Sequence, residues 1–265
     1  MEIDFEQVSS IVKLAALEEL MPRFTAVSGK RKADGSIVTE ADYSMQNRME
    51  KELLDLFPNT SLLSEEMTIE EQSSALKSGN PVWCLDPLDG TSNFAAGIPY
   101  FAVSLSLIQN KKVIMGLVYD PVRDECFFSQ DNKPALLNNN KIEFLNNTED
   151  IYSAVAIVDL KRLDSFLSAQ IVKEHPFASQ RNFGASALDW CWLAINRGHT
   201  YLHGKQNIWD YSAGNFIFHN AGGSSCTLDG ETIFNCSLEG RSVVAAVNER
   251  LLKNWFNWIN KNQSH

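Results

Sequence analysis

Residues 83–94 read WCLDPLDGTSNF, an apolar run that empties into two acids three residues apart. A bulky apolar run ends on Asp86, turns through Pro87, and presents a second carboxylate at Asp89 just before Gly90 and Thr91. This is a strand emptying into a turn. Gly90 and Thr91 then add backbone N–H groups and a helix start that can face a phosphate. Two carboxylates this close repel one another unless a cation sits between them. Hard divalent ions such as Mg²⁺ take oxygen ligands and accompany phosphate substrates. Two such ions can clamp the attacking and leaving oxygens of an in-line phosphoryl displacement.

Working outward, three more segments deliver acids at the ends of expected elements: Asp42, the pair Glu65 and Glu66, and Asp210. Each has an ordinary structural explanation. Asp42 suits the positive end of a helix, Asp210 could be an N-cap, and adjacent glutamates usually lie in a solvated loop. The helix around Asp42 opens at Thr39, carries Ala41, Met45, Met49 and Leu53 on one face, and ends by Pro58. An earlier helix starts at Asp4, with Gln7 completing a capping-box pattern, and runs to about Met21. GKRKADGS (29–36) is a basic loop. SLLSEE and VWCLD read as strands, FAVSLSLI and VIMGLVYDP as a hairpin across QNKK, and DECFFSQ as a further strand. Later, YSAVAIVDL and HTYLHG are strand-like, and SALDWCWLAINRG is a helix stopped by Gly198. A further helix is capped by Asp210, runs through Asn220 and is closed by Gly222 and Gly223. The asparagine-rich NNNKIEFLNNTED (138–150) suggests a junction between a 1–145 unit and a 146–265 unit, with a site between them.

Composition narrows the classes. The 265 residues are 44% hydrophobic and 21% charged, as in a folded globular protein. A net charge of −10 argues against general nucleic-acid binding, which needs a basic surface. Five cysteines without a C-x-x-C pair read as reduced thiols of a cytoplasmic protein, not as a zinc site or a disulfide framework. The acidic start lacks the features of a signal peptide, and no run is long enough to span a membrane. Two residues separate Asp86 from Asp89, where a haloacid-dehalogenase motif D-x-D-G-T allows one. P-loop, H-E-x-x-H and EF-hand patterns are absent.

Five stretches in order, DGSIVTEAD (34–42), LLSEE (62–66), DPLDGTSNFAAGIPYFAVSLSLI (86–108), GASALD (184–189) and WDYSAGNFIFHNAGG (209–223), resemble the inositol monophosphatase family. The resemblance implies a layered α/β/α/β/α sandwich, homodimeric as relatives commonly are. It also implies two or three Mg²⁺ per site. By position, Glu65, Asp86 and the Leu88 carbonyl resemble ligands of a first Mg²⁺, and Asp86, Asp89 and Asp210 ligands of a second. Asp42 and Thr91 resemble the pair that activates the attacking water. Gly90 and Thr91 would offer N–H groups to phosphate, and Gly184, Ala185 and Ser186 would line the alcohol side. The implied reaction is direct attack of the activated water on a phosphate monoester, sensitive to Li⁺ and without a covalent intermediate.

Three departures bear on substrate. SEE replaces the family's usual GEE, Ser186 stands where an alanine is usual, and His203 replaces a glutamate that binds sugar hydroxyls. Inositol 1-phosphate leads as the expected substrate. Fructose 1,6-bisphosphate, histidinol phosphate and adenosine bisphosphate compete, and a protein-binding regulatory role with secondary catalysis is the alternative of another class.

Overall fold

The computed structural model describes residues 4–24, 26, 29–31, 37–143 and 148–263. Parts of the expected basic loop (32–36) and of the asparagine-rich junction (144–147) lie outside them. The helices are α1 (Phe5–Ala15), α2 (Glu40–Leu56), α3 (Ile69–Lys77), α4 (Thr91–Ala95), α5 (Ser165–Glu174), α6 (Ser186–Ala194), α7 (Ile208–Ala221) and α8 (Glu249–Lys261). A two-stranded ladder pairs β1 (Lys30–Arg31) with β2 (Ile37–Val38). The large sheet holds seven strands in sequence order: β3 (Ser61–Ser64), β4 (Val82–Asp89), β5 (Ala102–Gln109), β6 (Lys112–Asp120), β7 (Glu125–Gln130), β8 (Leu136–Leu137) and β9 (Asn140–Lys141). The small sheet is built from β10 (Val155–Asp159), β11 (Ser179–Arg181), β12 (Thr200–Gln206), β13 (Ser224–Cys226) and β14 (Arg241–Ala246), in the order β11-β10-β12-β14-β13.

These elements stack in five layers. Helices α1 and α2 cover one face of the large sheet, α6 and α7 fill the space between the sheets, and α8 covers the far side of the small one. The expected α/β/α/β/α sandwich is the observed fold. Its two apolar cores follow from strand alternation. On β4, Trp83 and Leu85 pack toward α1 and α2, while Val82 and Cys84 pack toward α6 and α7. All eight residues of the strand are buried, so both faces are covered.

Alternation also explains the spacing of the two acids. Asp86 shares its parity with Val82 and Cys84 and so faces the α6/α7 layer. Asp86 pairs with Ser104 and Asp89 with Ala102, so three steps on β4 oppose two on β5. The extra residue is a β-bulge, and it returns Asp89 to the face that Asp86 occupies. Pro87, which cannot donate to the ladder, falls inside the irregularity, where proline is tolerated. Helix α7 then comes down close to the sheet. Ser104 Oγ donates to Trp209 O at 3.0 Å, Ser106 and Ser212 hydroxyls meet at 2.7 Å, and a Cβ on Gly116 would lie 2.8 Å from Ala213 O.

Several boundaries differ from the sequence expectation. The first helix does reach the Met21 region, but as an α-helix followed by a π turn (Ala16–Leu20) and a 3₁₀ turn (Met21–Arg23), because Pro22 cannot continue the hydrogen-bond ladder. Asp4 caps it through the Glu6 N–H at 3.0 Å rather than in a box with Gln7. Helix α6 ends at Ala194, with Asn196 taking the left-handed turn (φ 61°), so Gly198 is not its stop. Asn207, not Asp210, is the N-cap of α7. The hairpin between β5 and β6 turns where expected, through Asn110 and Lys111 at positive φ, as a tight hairpin requires. All five cysteines are free; Cys84, Cys126 and Cys191 are buried, and Cys226 and Cys236 are partly exposed. No helix among the described residues is long and apolar enough to cross a membrane.

Candidate active site

The turn after β4 is held open by Gly90, whose φ of 91° lies in the left-handed region. A Cβ there would sit 3.0 Å from that of Ala185 and 3.1 Å from Tyr100 O, so no side chain fits. Thr91 opens α4 immediately after it. Its Oγ1 lies 3.0 Å from Asp42 Oδ1 and 3.0 Å from Leu88 O, and its single proton serves one acceptor at a time. Asp42 is the third residue of α2 and closes a capping box, its Oδ2 accepting from Thr39 N at 2.7 Å and Thr39 Oγ1 at 2.6 Å. The helix-start reading of Asp42 is therefore correct, and the same carboxylate's second oxygen reaches Thr91 across 49 residues of sequence. Burial pushes Asp42 above the usual carboxylate range, against the pull of the Thr39 hydrogen bonds.

Asp86, Asp89 and Asp210 come from β4 and from the first turn of α7. Asp86 Oδ1 accepts from Leu88 N at 3.0 Å. Asp89 accepts from Ser186 N at 3.1 Å and Ala187 N at 2.6 Å, capping α6 from a different strand because Ala185 at the N-cap position cannot. Asp210 closes a capping box by accepting from Asn207 N at 2.8 Å. Burial, then repulsion from Glu65, Asp89 and Asp210, pushes Asp86 well above the carboxylate range. Burial raises Asp89 to about 7, opposed by its helix-capping bonds. Asp210 is raised well above the range by burial and by the charges of Glu65 and Asp89. Glu65 follows β3, where its N–H donates to Leu85 O at 3.3 Å.

These acids open into one cavity of about 460 Å³. Glu65, Asp86, Leu88, Asp89, Gly90, Thr91, Gly184, Ser186, His203 and Asp210 all line it. Ala185 is buried, is not among the lining residues, and spends its side chain against Gly90. Among the described residues, no three His, Cys, Asp or Glu side chains are grouped closely enough to hold a metal ion by themselves. The donor set nevertheless suits a hard cation that keeps part of its water shell: it is all oxygen and buried, and its members raise one another's proton affinity. Asp86, Asp89, Asp210, Glu65 and the Leu88 carbonyl would hold such ions.

The opposite wall is formed by the small sheet. His203 Nδ1 accepts from Lys205 N at 3.2 Å, which leaves the proton on Nε2, 3.2 Å from Asp159 Oδ2. Both ring nitrogens are thus engaged by the protein. Asp159, at the end of β10, also lines the cavity and accepts from Lys161 N at 2.8 Å. Burial raises its pKa, but the His203 hydrogen bond and charge outweigh that and hold Asp159 below the usual range. Sequence reasoning missed this residue, because an acid ending a short strand carries no signature of its own. It also missed Gln72, whose amide donates to Ser64 O at 2.9 Å and Met67 O at 3.2 Å and so fixes the turn that carries Glu65. Asn93 was missed too; it ties Tyr100 O (2.8 Å) to Phe183 O (2.7 Å) beside Gly184.

A five-layered sandwich with an acid-lined cavity beside a Thr–Asp pair defines the class, and the sequence profile of the inositol monophosphatase family matches residues 2–263. The chain belongs to that family. It is 29% identical over 242 residues to the Nus factor SuhB of Haemophilus influenzae, covering 89% of this chain and 87% of the relative. It is 27% identical over 228 residues to inositol monophosphatase 1 of Bos taurus, covering 83% and 80%. Its fold superposes on the Thermotoga maritima IMPase structure with a TM-score of 0.85 at 23% identity, covering 98% of both chains.

Proposed function

We propose that the chain is a Mg²⁺-dependent phosphatase of small polyol or sugar phosphates, with inositol 1-phosphate as its leading substrate. The observation that carries the reading is the Thr91–Asp42 hydrogen bond set against the cavity that holds Asp86, Asp89 and Asp210. A water donating to Thr91 Oγ1 passes its proton demand through that hydroxyl to Asp42, whose raised proton affinity suits a base. The orphan N–H groups at Gly90 and Thr91, at the start of α4, receive phosphate oxygens. When bound, divalent ions supply charge neutralisation for the phosphoryl group and the departing alkoxide, and lower the pKa of water. Gly184 and Ser186 border the alcohol portion. The test is phosphate release from inositol 1-phosphate with Mg²⁺ and after chelation. Release that survives chelation, or none with Mg²⁺, overturns the proposal.

The same reading includes Li⁺ sensitivity, a cytoplasmic homodimer, and a division into 1–145 and 146–265 units that each contribute to the cavity. The named role of the Haemophilus influenzae relative as a Nus factor favours a second reading, a regulatory partner for protein. Absence of phosphate release from every small phosphate ester would favour it.

A further inference from the structure

We infer that Asp159 is the residue by which this site recognises the alcohol half of its substrate, as a carboxylate that accepts hydrogen bonds from adjacent hydroxyls, and that His203 is its positioning residue. This rests on the phosphatase reading above and deepens it. An ionised carboxylate is acceptor-only and has about four lone-pair sites. Two of those on Asp159 are used: Oδ2 lies 3.2 Å from His203 Nε2, and one oxygen accepts from Lys161 N at 2.8 Å. No other hydrogen bond to the carboxylate occurs among the described residues, although its side chain is 22% exposed and lines the cavity. One acceptor site on each oxygen therefore remains, the arrangement that matches two neighbouring O–H donors of a polyol.

His203 cannot play that part itself. Its side chain is 9% exposed, and its two nitrogens are occupied by Lys205 N and Asp159. What it does is fix the carboxylate. The backbone bond from Lys205 to Nδ1 sets the tautomer, and the tautomer aims Nε2–H at Oδ2. Strand register supports the contact, because β10 and β12 run parallel with Asp159 directly opposite His203. The ordinary alternative is that Asp159 only caps the 3₁₀ turn Leu160–Arg162, since it accepts from Lys161 N. Asn caps such turns as well as Asp does, so Asp159→Asn separates the two roles.

The experiment compares kcat/KM for inositol 1-phosphate with that for cyclohexyl phosphate, the same ring without hydroxyls, at fixed Mg²⁺. Asp159→Asn is expected to lower the ratio of the two by about tenfold or more, mainly through KM for the inositol ester. His203→Ala should lower it as well. The double variant should be no worse than Asp159→Asn alone, since His203 acts through that carboxylate. His203→Gln, which keeps an N–H donor and fills the site if the alanine variant does not fold, should restore part of the ratio. An unmoved ratio in Asp159→Asn, or effects of the two residues that simply multiply, overturns the inference and leaves the phosphatase reading standing. Failure to release phosphate from either ester overturns both.

Discussion

Asp89→Asn should stabilise the metal-free protein at neutral pH while destroying its activity. Asp89 keeps its proton up to about pH 7 in the fold, against 3.8 for the free side chain. The folded state therefore binds more protons than the unfolded state between those values, so stability is highest on the acid side and falls as pH rises through the window. Three units at about 1.4 kcal/mol each amount to about 4 kcal/mol, of which about 2 kcal/mol is lost between pH 5 and pH 7. Asn removes this dependence. It keeps one of the two acceptor contacts to Ser186 N and Ala187 N, as the neutral acid does. Because the raised pKa is already net of the carboxylate's contacts, the gain at pH 7 is of the order of the pH-dependent loss itself, about 2–4 kcal/mol. The assay is urea unfolding in a chelator at pH 5 and pH 7. Wild type should lose at least about 2 kcal/mol more than the variant over that interval. If the two decline in parallel, Asp89 is not the strained acid described above. Added Mg²⁺ at pH 7 should stabilise wild type and leave the variant nearly unchanged, and phosphate release by the variant should be negligible.

Thr91→Val removes the hydroxyl between Asp42 Oδ1 and Leu88 O, and should lower kcat by about 10²-fold or more with little change in KM, whereas Thr91→Ser should retain most activity; steady-state kinetics decides. Gly116→Ala places a Cβ 2.8 Å from Ala213 O and should lift α7 from the sheet; a fall of about 1–3 kcal/mol is expected by urea unfolding, with weaker Mg²⁺ binding by calorimetry because Asp210 moves with the helix. Chelation should abolish turnover and Mg²⁺ should restore it, while Ca²⁺, with longer and looser coordination, should support it poorly. His203→Glu would set a second carboxylate against Asp159 in place of the 3.2 Å contact made now, and should reduce selectivity for inositol 1-phosphate rather than improve it.

The large-sheet strands and the helix that carries Asp42 were legible because their signals are local: an apolar run ending in an acid on β4, a helix start at Thr39 ahead of an apolar face, and the polar QNKK connection between two apolar runs. The spacing of Asp86 and Asp89 was visible as an anomaly, but the bulge that explains it was not, because a bulge is defined by the partner strand. Asp210 was misread as a cap since Asp and Asn serve equally well there, and only the backbone distinguishes Asn207 from a residue three positions later. His203 was singled out by comparison with a family position. Its engagement with Asp159, 44 residues upstream on a neighbouring strand, depends on parallel pairing that no local pattern encodes. Helix α8 did carry a signal, with Leu251, Trp255, Trp258 and Ile259 on one buried face.

The irregular step between Asp86 and Asp89 makes this site sensitive to chain length as well as to residue identity. Side-chain direction on a strand has only two values, so removing one residue between the acids would erase the bulge and leave them two steps apart in plain alternation, still on one face. What the deletion would disturb is the bulged turn's own bonding, in which Leu88 N donates to Asp86 Oδ1 and Leu88 O lies 3.0 Å from Thr91 Oγ1. Substitutions can tune such a site by degrees, whereas a single-codon loss here disturbs those bonds together. Pro87→Ala should be tolerated far better than deletion of either Pro87 or Leu88, an order of sensitivity opposite to that of an ordinary surface loop.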